Sequence, residues 1–220
     1  MSTRTDSSTF LQRNALSLVL IALFASSLIG QIAAGRVVYN RDLAEHALPA
    51  VGWLEYLGRG QFISATFENW ESEFLQMGLY VLLTVVLRQK GSAESRPLQD
   101  SGEETIEPGT TPWPVRRGGI WLTLYRHSLS AALLALFVIA FVMHWFGSWD
   151  QEVERSLLEG KMPPGCWEHL FGAQFWFESF QNWQSEFMVV AVLVLAAVWL
   201  RQRGSGESKP VAAPHSETPS

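Results

Sequence analysis

The chain has 220 residues, of which 48% are hydrophobic and 17% charged, and its formal net charge at pH 7 is −5. This acidic balance gives no support to nucleic-acid binding. A single cysteine, Cys166, excludes an intramolecular disulfide and any thiol oxidase that works through cysteine pairs. The hydrophobic residues are concentrated in four blocks, a distribution that is typical of a polytopic membrane protein.

The first block, residues 15–34, comes close to the ~20 apolar residues that cross a hydrocarbon core of about 30 Å. It predicts a transmembrane helix over about 14–35. Ser26, Gly30 and Ala34 recur along it at four-residue spacing, which allows close helix approach in lipid, so we predict a helix contact there. A cleaved signal peptide is the alternative for an N-terminal apolar block. The internal position of the third block, which resembles the first, argues against cleavage.

The second block, residues 75–87, is too short to span a bilayer by itself. Extending it backwards through residues 67–74 supplies the missing length and predicts a helix over about 66–89. The extension contains the hexapeptide NWESEF, residues 69–74. A stretch of polar and aromatic residues therefore lies at membrane depth in this helix.

The hexapeptide returns as NWQSEF at residues 182–187, 113 positions later. The match extends without a gap over residues 62–97 and 175–210, with 18 of 36 positions identical. Upstream, RNALSLVLIALF at 13–24 aligns with RHSLSAALLALF at 126–137. The chain is therefore read as two copies of one unit.

This repeat predicts an all-α polytopic membrane protein with four transmembrane helices, built from two tandem parallel helical hairpins. The third and fourth helices are expected at about 122–147 and 178–202. The stretch after the second helix is rich in Glu, Thr, Gly and Pro, which is typical of a flexible linker. The predicted domains are a first repeat at 1–97, a cytoplasmic linker at 98–114, a second repeat at 115–210 and a disordered tail at 211–220.

The distribution of Lys and Arg predicts the orientation, because cationic flanks are retained on the cytoplasmic side. Residues 1–14, 88–126 and 201–220 hold 11 of the 16 basic residues. The connections 36–73 and 148–186 hold the other five together with 13 of the 21 acids. Both termini are thus expected in the cytoplasm, with the two hairpins related by a pseudo-two-fold axis along the membrane normal.

Each hairpin ends in a basic and glycine-containing motif, RQKGSAESRP at 88–97 and RQRGSGESKP at 201–210. Glycine after the last helical turn, followed by proline, commonly ends a helix. A docking motif for a cytoplasmic partner is the alternative interpretation. We predict that Arg88 and Arg201, with the tryptophans Trp70 and Trp183, anchor the helices at the membrane interfaces.

Polar side chains of the two hexapeptides fall at one depth with two residues of the other helices. By rise per residue, Glu73 and Glu186 lie ~22 Å above Arg88 and Arg201, close to the level of Gln31 and His144. Either the carboxylates are solvated beside the first turn of their helices, or they turn inward and are partnered by Gln31 and His144. The predicted intramembrane polar cluster comprises Gln31, Asn69, Ser72, Glu73, His144, Asn182, Ser185 and Glu186.

No sequence motif points to catalysis. The chain lacks the GxxxxGK(S/T), HExxH and GxSxG patterns, and the histidines near the spans, His127 and His144, share one helix, which does not suit bis-histidine haem ligation. We therefore predict no enzyme activity, no catalytic residue, no metal and no cofactor. The expected partners are the lipid bilayer and either a second copy of the chain or another membrane protein.

The duplicated motif pair, NWxSEF followed by RQ(K/R)GSxES(R/K)P, resembles a family of small uncharacterised bacterial membrane proteins with four predicted spans. The resemblance implies location in the inner membrane and no activity. We predict a membrane protein of unknown biochemical activity that serves as a non-catalytic membrane scaffold or envelope-stress accessory. The alternative is a small ion-coupled transporter or channel subunit that uses paired outer-leaflet carboxylates.

Overall fold

A computed structural model describes residues 9–98 and 109–218, and within these residues all regular structure is helical. The all-α prediction is confirmed. The helices are α1 (Phe10–Glu45), α2 (Trp53–Leu57), α3 (Gly60–Val86), α4 (Trp113–Arg117), α5 (Gly119–Arg126), α6 (Ser128–Leu158), α7 (Cys166–Leu170) and α8 (Ala173–Trp199).

Three of the helices in the described residues, α1, α6 and α8, are long and apolar enough to cross a bilayer. Their lengths and compositions are those of an α-helical membrane protein. The helix α3 has 27 residues, as α8 does. Its first half carries Glu68, Glu71 and Glu73, which lowers its hydropathy.

The first and third predicted helices extend further than expected. The helix α1 begins at Phe10, where Thr9 forms a capping box with Gln12, and it continues to Glu45. The helix α6 continues to Leu158, and a break at His127 separates it from α5. The segments that follow the first and third apolar blocks thus continue the apolar helices without a break.

The second and fourth predicted helices end three residues early, at Val86 and Trp199. The physical reason is a side-chain cap. Arg88 Nη1 donates to the carbonyls of Thr84, Val85 and Leu87, and Arg201 Nη1 donates to those of Ala197, Val198 and Leu200. These bonds satisfy carbonyls that the helix leaves without partners. The predicted anchors Arg88 and Arg201 therefore cap helix ends.

The main helix packing is that of α3 against α6 along its length, and α3 also packs against α8. A buried hydrophobic cluster of Tyr39, Leu43, Val51 and Tyr56 joins α1 to the α2 region. Two glycines bring α3 and α6 into backbone contact. A Cβ on Gly147 would lie 2.5 Å from the backbone nitrogen of Ser64, and a Cβ on Gly60 would lie 2.5 Å from that of Gln151. Small residues allow such close approach in membrane helices.

The predicted packing stripe on α1 is wrong for contacts within the chain. Ser26, Gly30 and Ala34 are exposed, and a Cβ on Gly30 would meet nothing within 4 Å. Ser26 Oγ donates only to the carbonyl of Ala22, one turn earlier on its own helix. The close approach uses glycines of α3 and α6, because those helices carry the buried polar groups that must meet.

The segments that follow α3 and α8 fold into loops with the same hydrogen bonds. Gly91 and Gly204 have φ of 85° and 84°, the left-handed region that favours glycine. The amides of Gln89 and Gln202 donate to Ser95 Oγ and Ser208 Oγ, each at 2.8 Å. The serines of the two basic motifs thus close their own loops.

The predicted linker and tail are partly structured. Residues 99–108 of the linker lie outside the described residues, and α4 begins inside its predicted range at Trp113. Residues 211–218 of the predicted disordered tail fold back instead, because the buried ammonium of Lys209 donates to the carbonyls of Pro214, His215 and Glu217. Thr218 Oγ1 accepts from the Gly91 amide at 2.8 Å.

Candidate functional site

One face of α3 is buried although it consists largely of small and polar residues. Ser64, Glu71 and Gly78 recur at seven-residue spacing along this face, which is two helical turns. Glu71 lies roughly 16 Å from the start of α3 and roughly 22 Å from its end and is 0% exposed. A carboxyl group is therefore enclosed deep in the helix bundle.

Glu71 is held by side chains from both neighbouring helices. His144 of α6 contacts Glu71 Oε2 through Nδ1 at 2.7 Å, and Trp183 of α8 donates its indole N–H to Glu71 Oε1 at 2.9 Å. His144 is also 0% exposed. Both carboxyl oxygens thus have partners in a three-helix junction that is closed to solvent.

The other side of the His144 ring lacks a polar partner. The ring stacks on Phe175 with centroids 4.8 Å apart, and Phe175 is 0% exposed. Within the described residues, His144 Nε2 and the buried Ser179 Oγ have no hydrogen-bond partner. Buried polar atoms without partners are uncommon and mark sites of an ordered water or of function.

The protonation states of the Glu71–His144 pair differ in net charge. A carboxylate with a neutral imidazole leaves one negative charge inside the bundle, which is costly in a medium of low polarity. One additional proton makes the pair neutral overall, either as carboxylate with imidazolium or as carboxylic acid with imidazole. Nε2 carries a hydrogen in both neutral arrangements, and that donor points into the unsatisfied side of the ring.

The missing hydrogen bonds of His144 and Ser179 can be compared with the residues 113 positions earlier, Gln31 and Thr66. There, Gln31 Nε2 donates to Thr66 Oγ1 at 3.1 Å. The corresponding atoms of His144 and Ser179 are both buried without partners. The same pair of positions is thus satisfied between α1 and α3 and unsatisfied between α6 and α8.

Other residues of the predicted polar cluster join helices or cap their own backbone. Gln76 of α3 donates to the carbonyl of Glu186 at 2.9 Å, and Asn182 donates to Glu68 Oε1. The remaining polar members bond within one turn: Asn69 to the Ala65 carbonyl, Ser72 to that of Asn69 and Ser185 to that of Asn182. These bonds belong to helix packing rather than to a ligand site.

Of the two alternatives for Glu73 and Glu186, the structure does not show partnering with Gln31 and His144. Glu73 is exposed and Glu186 half-buried, and the two carboxylates are near enough to repel each other. Gln31 pairs with Thr66, and His144 pairs with Glu71. Glu73 is two positions from Glu71, which is about 200° around the helix, so it leaves the buried face.

The predicted tryptophan anchors differ from one another. Trp183 turns its N–H inward to Glu71, so its polar group does not serve an interface. Trp70 is half-buried and packs on Phe67 and Phe24, with centroids at 5.0 and 5.9 Å. For Trp70 the anchor role stays a prediction.

A second polar chain lies at the α7 end of the bundle. His169 Nε2 and Ser148 Oγ are 2.9 Å apart, and Ser148 Oγ donates to Glu178 Oε2 at 3.2 Å. Burial lowers the pKa of His169 below its usual value, against the opposing effect of Glu178 and Glu152. The neutral imidazole is therefore the favoured state of His169.

The described residues contain no group of three or more His, Cys, Asp or Glu placed to hold a metal ion. Cys166 is a free, half-buried thiol at the start of α7. The site around Glu71 offers two ionisable side chains and an indole N–H donor. Reasoning from sequence missed Glu71, Ser179 and Trp183 as its members. The seven-residue spacing of Ser64, Glu71 and Gly78 was the available indication for Glu71.

Searches of the curated proteins and of the solved structures find no match for this chain. A family model described as a domain of unknown function matches residues 7–220. With nearly its whole length matched, the chain belongs to this family, Domain of unknown function DUF6766.

Proposed function

We propose that this membrane protein is proton-coupled, with the Glu71–His144 pair as the site that takes up and releases a proton. The single observation that carries the proposal is the enclosure of this pair at a three-helix junction, with His144 Nε2 buried and unsatisfied. Ionisable side chains inside membrane bundles are costly and commonly belong to ion or proton pathways. Histidine is the side chain that changes charge most readily near neutral pH.

The reaction at the site is a proton transfer without covalent chemistry. When a proton enters, the pair passes from one net negative charge to neutrality, and when it leaves, an uncompensated charge remains in the bundle. The indole N–H of Trp183 stabilises that charge at Glu71 Oε1. Release is therefore expected to be coupled to a change in helix packing or to a second cation.

The proposal includes four spans arranged as two tandem hairpins, with both termini in the cytoplasm of a bacterial inner membrane. Supporting it, α7 and α8 begin 113 residues after α2 and α3 and have the same lengths as those helices. The capping bonds of Arg88 and Arg201 are also equivalent. Reporter fusions at residues 1, 100 and 220 should lie inside and those at 45 and 160 outside.

Proton uptake into liposomes that contain a pH-sensitive dye tests the proposed activity. An imposed pH gradient should be dissipated by the wild-type protein and not by Glu71→Gln, which keeps the shape of the carboxyl group but cannot release a proton. Gln184→Ala, 113 positions away, is the matched control and should behave as the wild type. Equal rates for Glu71→Gln and the wild type would overturn the proposal.

A non-catalytic scaffold is the second candidate, and a specific observation favours it. The apolar part of α1 has none of its residues buried within the chain, so it is covered by lipid or by another membrane helix. In that case the polar contacts of α3, α6 and α8 serve only to hold the bundle together. The absence of proton uptake by wild-type protein in oriented liposomes would favour this function.

A further inference from the structure

We propose that His169, Ser148 and Glu178 form a second proton-accepting site, which supplies the Glu71–His144 pair from the α7 end, and that Phe175 separates the two sites. This inference rests on the proposed function. It adds the route by which protons reach the Glu71–His144 pair, and the partition, by which we mean the separation of the two sites by the Phe175 ring. The first observation is spatial order. Phe175 stacks on His144 at 4.8 Å and meets His169 edge-on at 5.9 Å, so one buried ring touches both histidines.

The outer site faces a surface cavity of about 420 Å³ at the α7 end, lined in part by His169 and Gln174. The charged residues of this cavity are Glu152, Arg155, Glu159, Lys161 and Glu168. Lys161 and Arg155 beside Glu159 hold the pKa of that carboxyl below its usual range. Glu152 interacts electrostatically with His169, and Glu168 lines the same cavity. Acidic residues on the surface of a cavity raise the local concentration of cations, including protons.

The hydrogen bonds of the outer site allow a balanced proton transfer. A proton from water in the cavity binds His169 at Nδ1, and the hydrogen on Nε2 passes to Ser148 Oγ. Ser148 in turn passes its own hydrogen to Glu178 Oε2, along contacts of 2.9 and 3.2 Å. One proton has then moved from water to Glu178, and Ser148 and His169 regain their initial number of protons.

The last step of the proposed route leads from Glu178 to the buried pair. Glu178 and His144 each interact electrostatically with the same carboxyl group, Glu68. Ser179, next to Glu178 in the chain, is buried with its hydroxyl unpartnered, as is His144 Nε2. The proposed route joins these two groups through one water, which needs polar partners of this kind.

Deuterium exchange at the imidazole Cε1 position, followed by mass spectrometry on protein in nanodiscs, tests the partition. It reports on solvent access for every histidine of the chain separately. In the wild type, His169 should exchange at least tenfold faster than His144. In Phe175→Ala the rate at His144 should rise at least tenfold. Phe62→Ala, 113 positions earlier, is the matched control and should leave His144 slow.

The exchange rates of the other histidines distinguish local opening at His144 from loss of folding, because unfolding would change the rates of the buried histidines together. If Phe175→Ala unfolds the bundle, Phe175→Leu serves as the second variant, because Leu fills the space without an aromatic ring and should leave His144 slow. Equal exchange of His144 and His169 in the wild type would overturn the partition. So would an unchanged His144 rate in folded Phe175→Ala.

The route is tested apart from the proposed function with Ser148→Ala and Glu178→Gln in the dye-loaded liposomes. Each variant should reduce proton uptake at least tenfold while His144 stays slow in exchange. Wild-type uptake rates in both variants would overturn the route, although sensitivity to Glu71→Gln would still support the proton-binding pair. Insensitivity to Glu71→Gln would instead be a failure of the proposed function.

Discussion

The two halves of the chain place different chemistry at positions 113 residues apart. In the first half, Gln31 and Thr66 hydrogen-bond to each other at 3.1 Å. In the second half, His144 and Ser179 occupy those positions, and the atoms that would complete the bond have no partner. In the first half these positions form a structural hydrogen bond. In the second half they hold a titratable imidazole and two buried polar atoms without hydrogen-bond partners.

The comparison continues at the ends of the hairpins. Tyr56 packs on Phe62 in the first half, and its hydroxyl occupies the space in which a Cβ of Gly35 would lie. The matched residues in the second half are His169, Phe175 and Ser148, which form the outer polar chain. The difference teaches that matched positions hold aromatic and glycine contacts in one half and a hydrogen-bonded polar chain in the other.

The largest effect is expected where the halves differ by a charge. Glu71→Ala removes the partner of both His144 and Trp183, and the loss should cost about 3–5 kcal/mol, as for one member of a buried pair. Gln184→Ala at the matched position should change stability little, because Gln184 is exposed. Thermal unfolding in detergent measures both. Similar losses for the two variants would contradict the difference between the halves.

The next effect concerns close packing. Gly147→Val should destabilise by about 1–3 kcal/mol, the usual cost of overpacking, because any Cβ there collides with the backbone of α3. Ala34→Val is the matched change on α1, where the residue is exposed, and should alter stability by less than about 0.5 kcal/mol. Unfolding midpoints in detergent compare the stabilities of the two variants. An equal loss of stability in Ala34→Val would indicate that α1 packs on another chain.

A conversion of one half into the other sharpens the comparison further. The double variant His144→Gln with Ser179→Thr recreates the residue pair of the first half. It should restore a hydrogen bond equivalent to the one that Gln31 donates to Thr66. We expect higher stability than in the single variant His144→Gln, because the bond to residue 179 is restored, together with complete loss of proton uptake in liposomes. Retained uptake would show that His144 does not carry the proton. The single variant His144→Gln is the control for the restored bond.

The smallest effect is a pH dependence at the outer site. Since burial lowers the pKa of His169, the unfolded chain binds a proton below about pH 6.5 that the folded chain resists. Stability should therefore fall as the pH drops through this range and be unaffected above pH 7.5. His169→Tyr, which introduces the residue found at position 56, should remove this contribution. Unfolding midpoints at pH 8 and pH 5 measure it, and an unchanged slope would contradict it.

Local features of the sequence determined the helices and their exposure. The apolar blocks at 15–34 and 129–146 lie within α1 and α6, as predicted from hydropathy alone. His144 was also found from sequence, because a histidine in an apolar block is conspicuous at any depth. Such properties depend on neighbours in the chain, so they can be read without knowledge of the packing.

The tertiary structure alone decided which polar groups meet. Glu73 and Glu186 occupy matched positions in both halves, whereas Glu71 is matched by Gln184, so the repeat in the sequence does not single out Glu71. The structure instead pairs Glu71 with His144, since Gly60 and Gly147 bring the backbones of α3 and α6 together on that face. Contact between helices depends on which faces can approach most closely. That is a property of two surfaces at once, which no single periodic pattern contains.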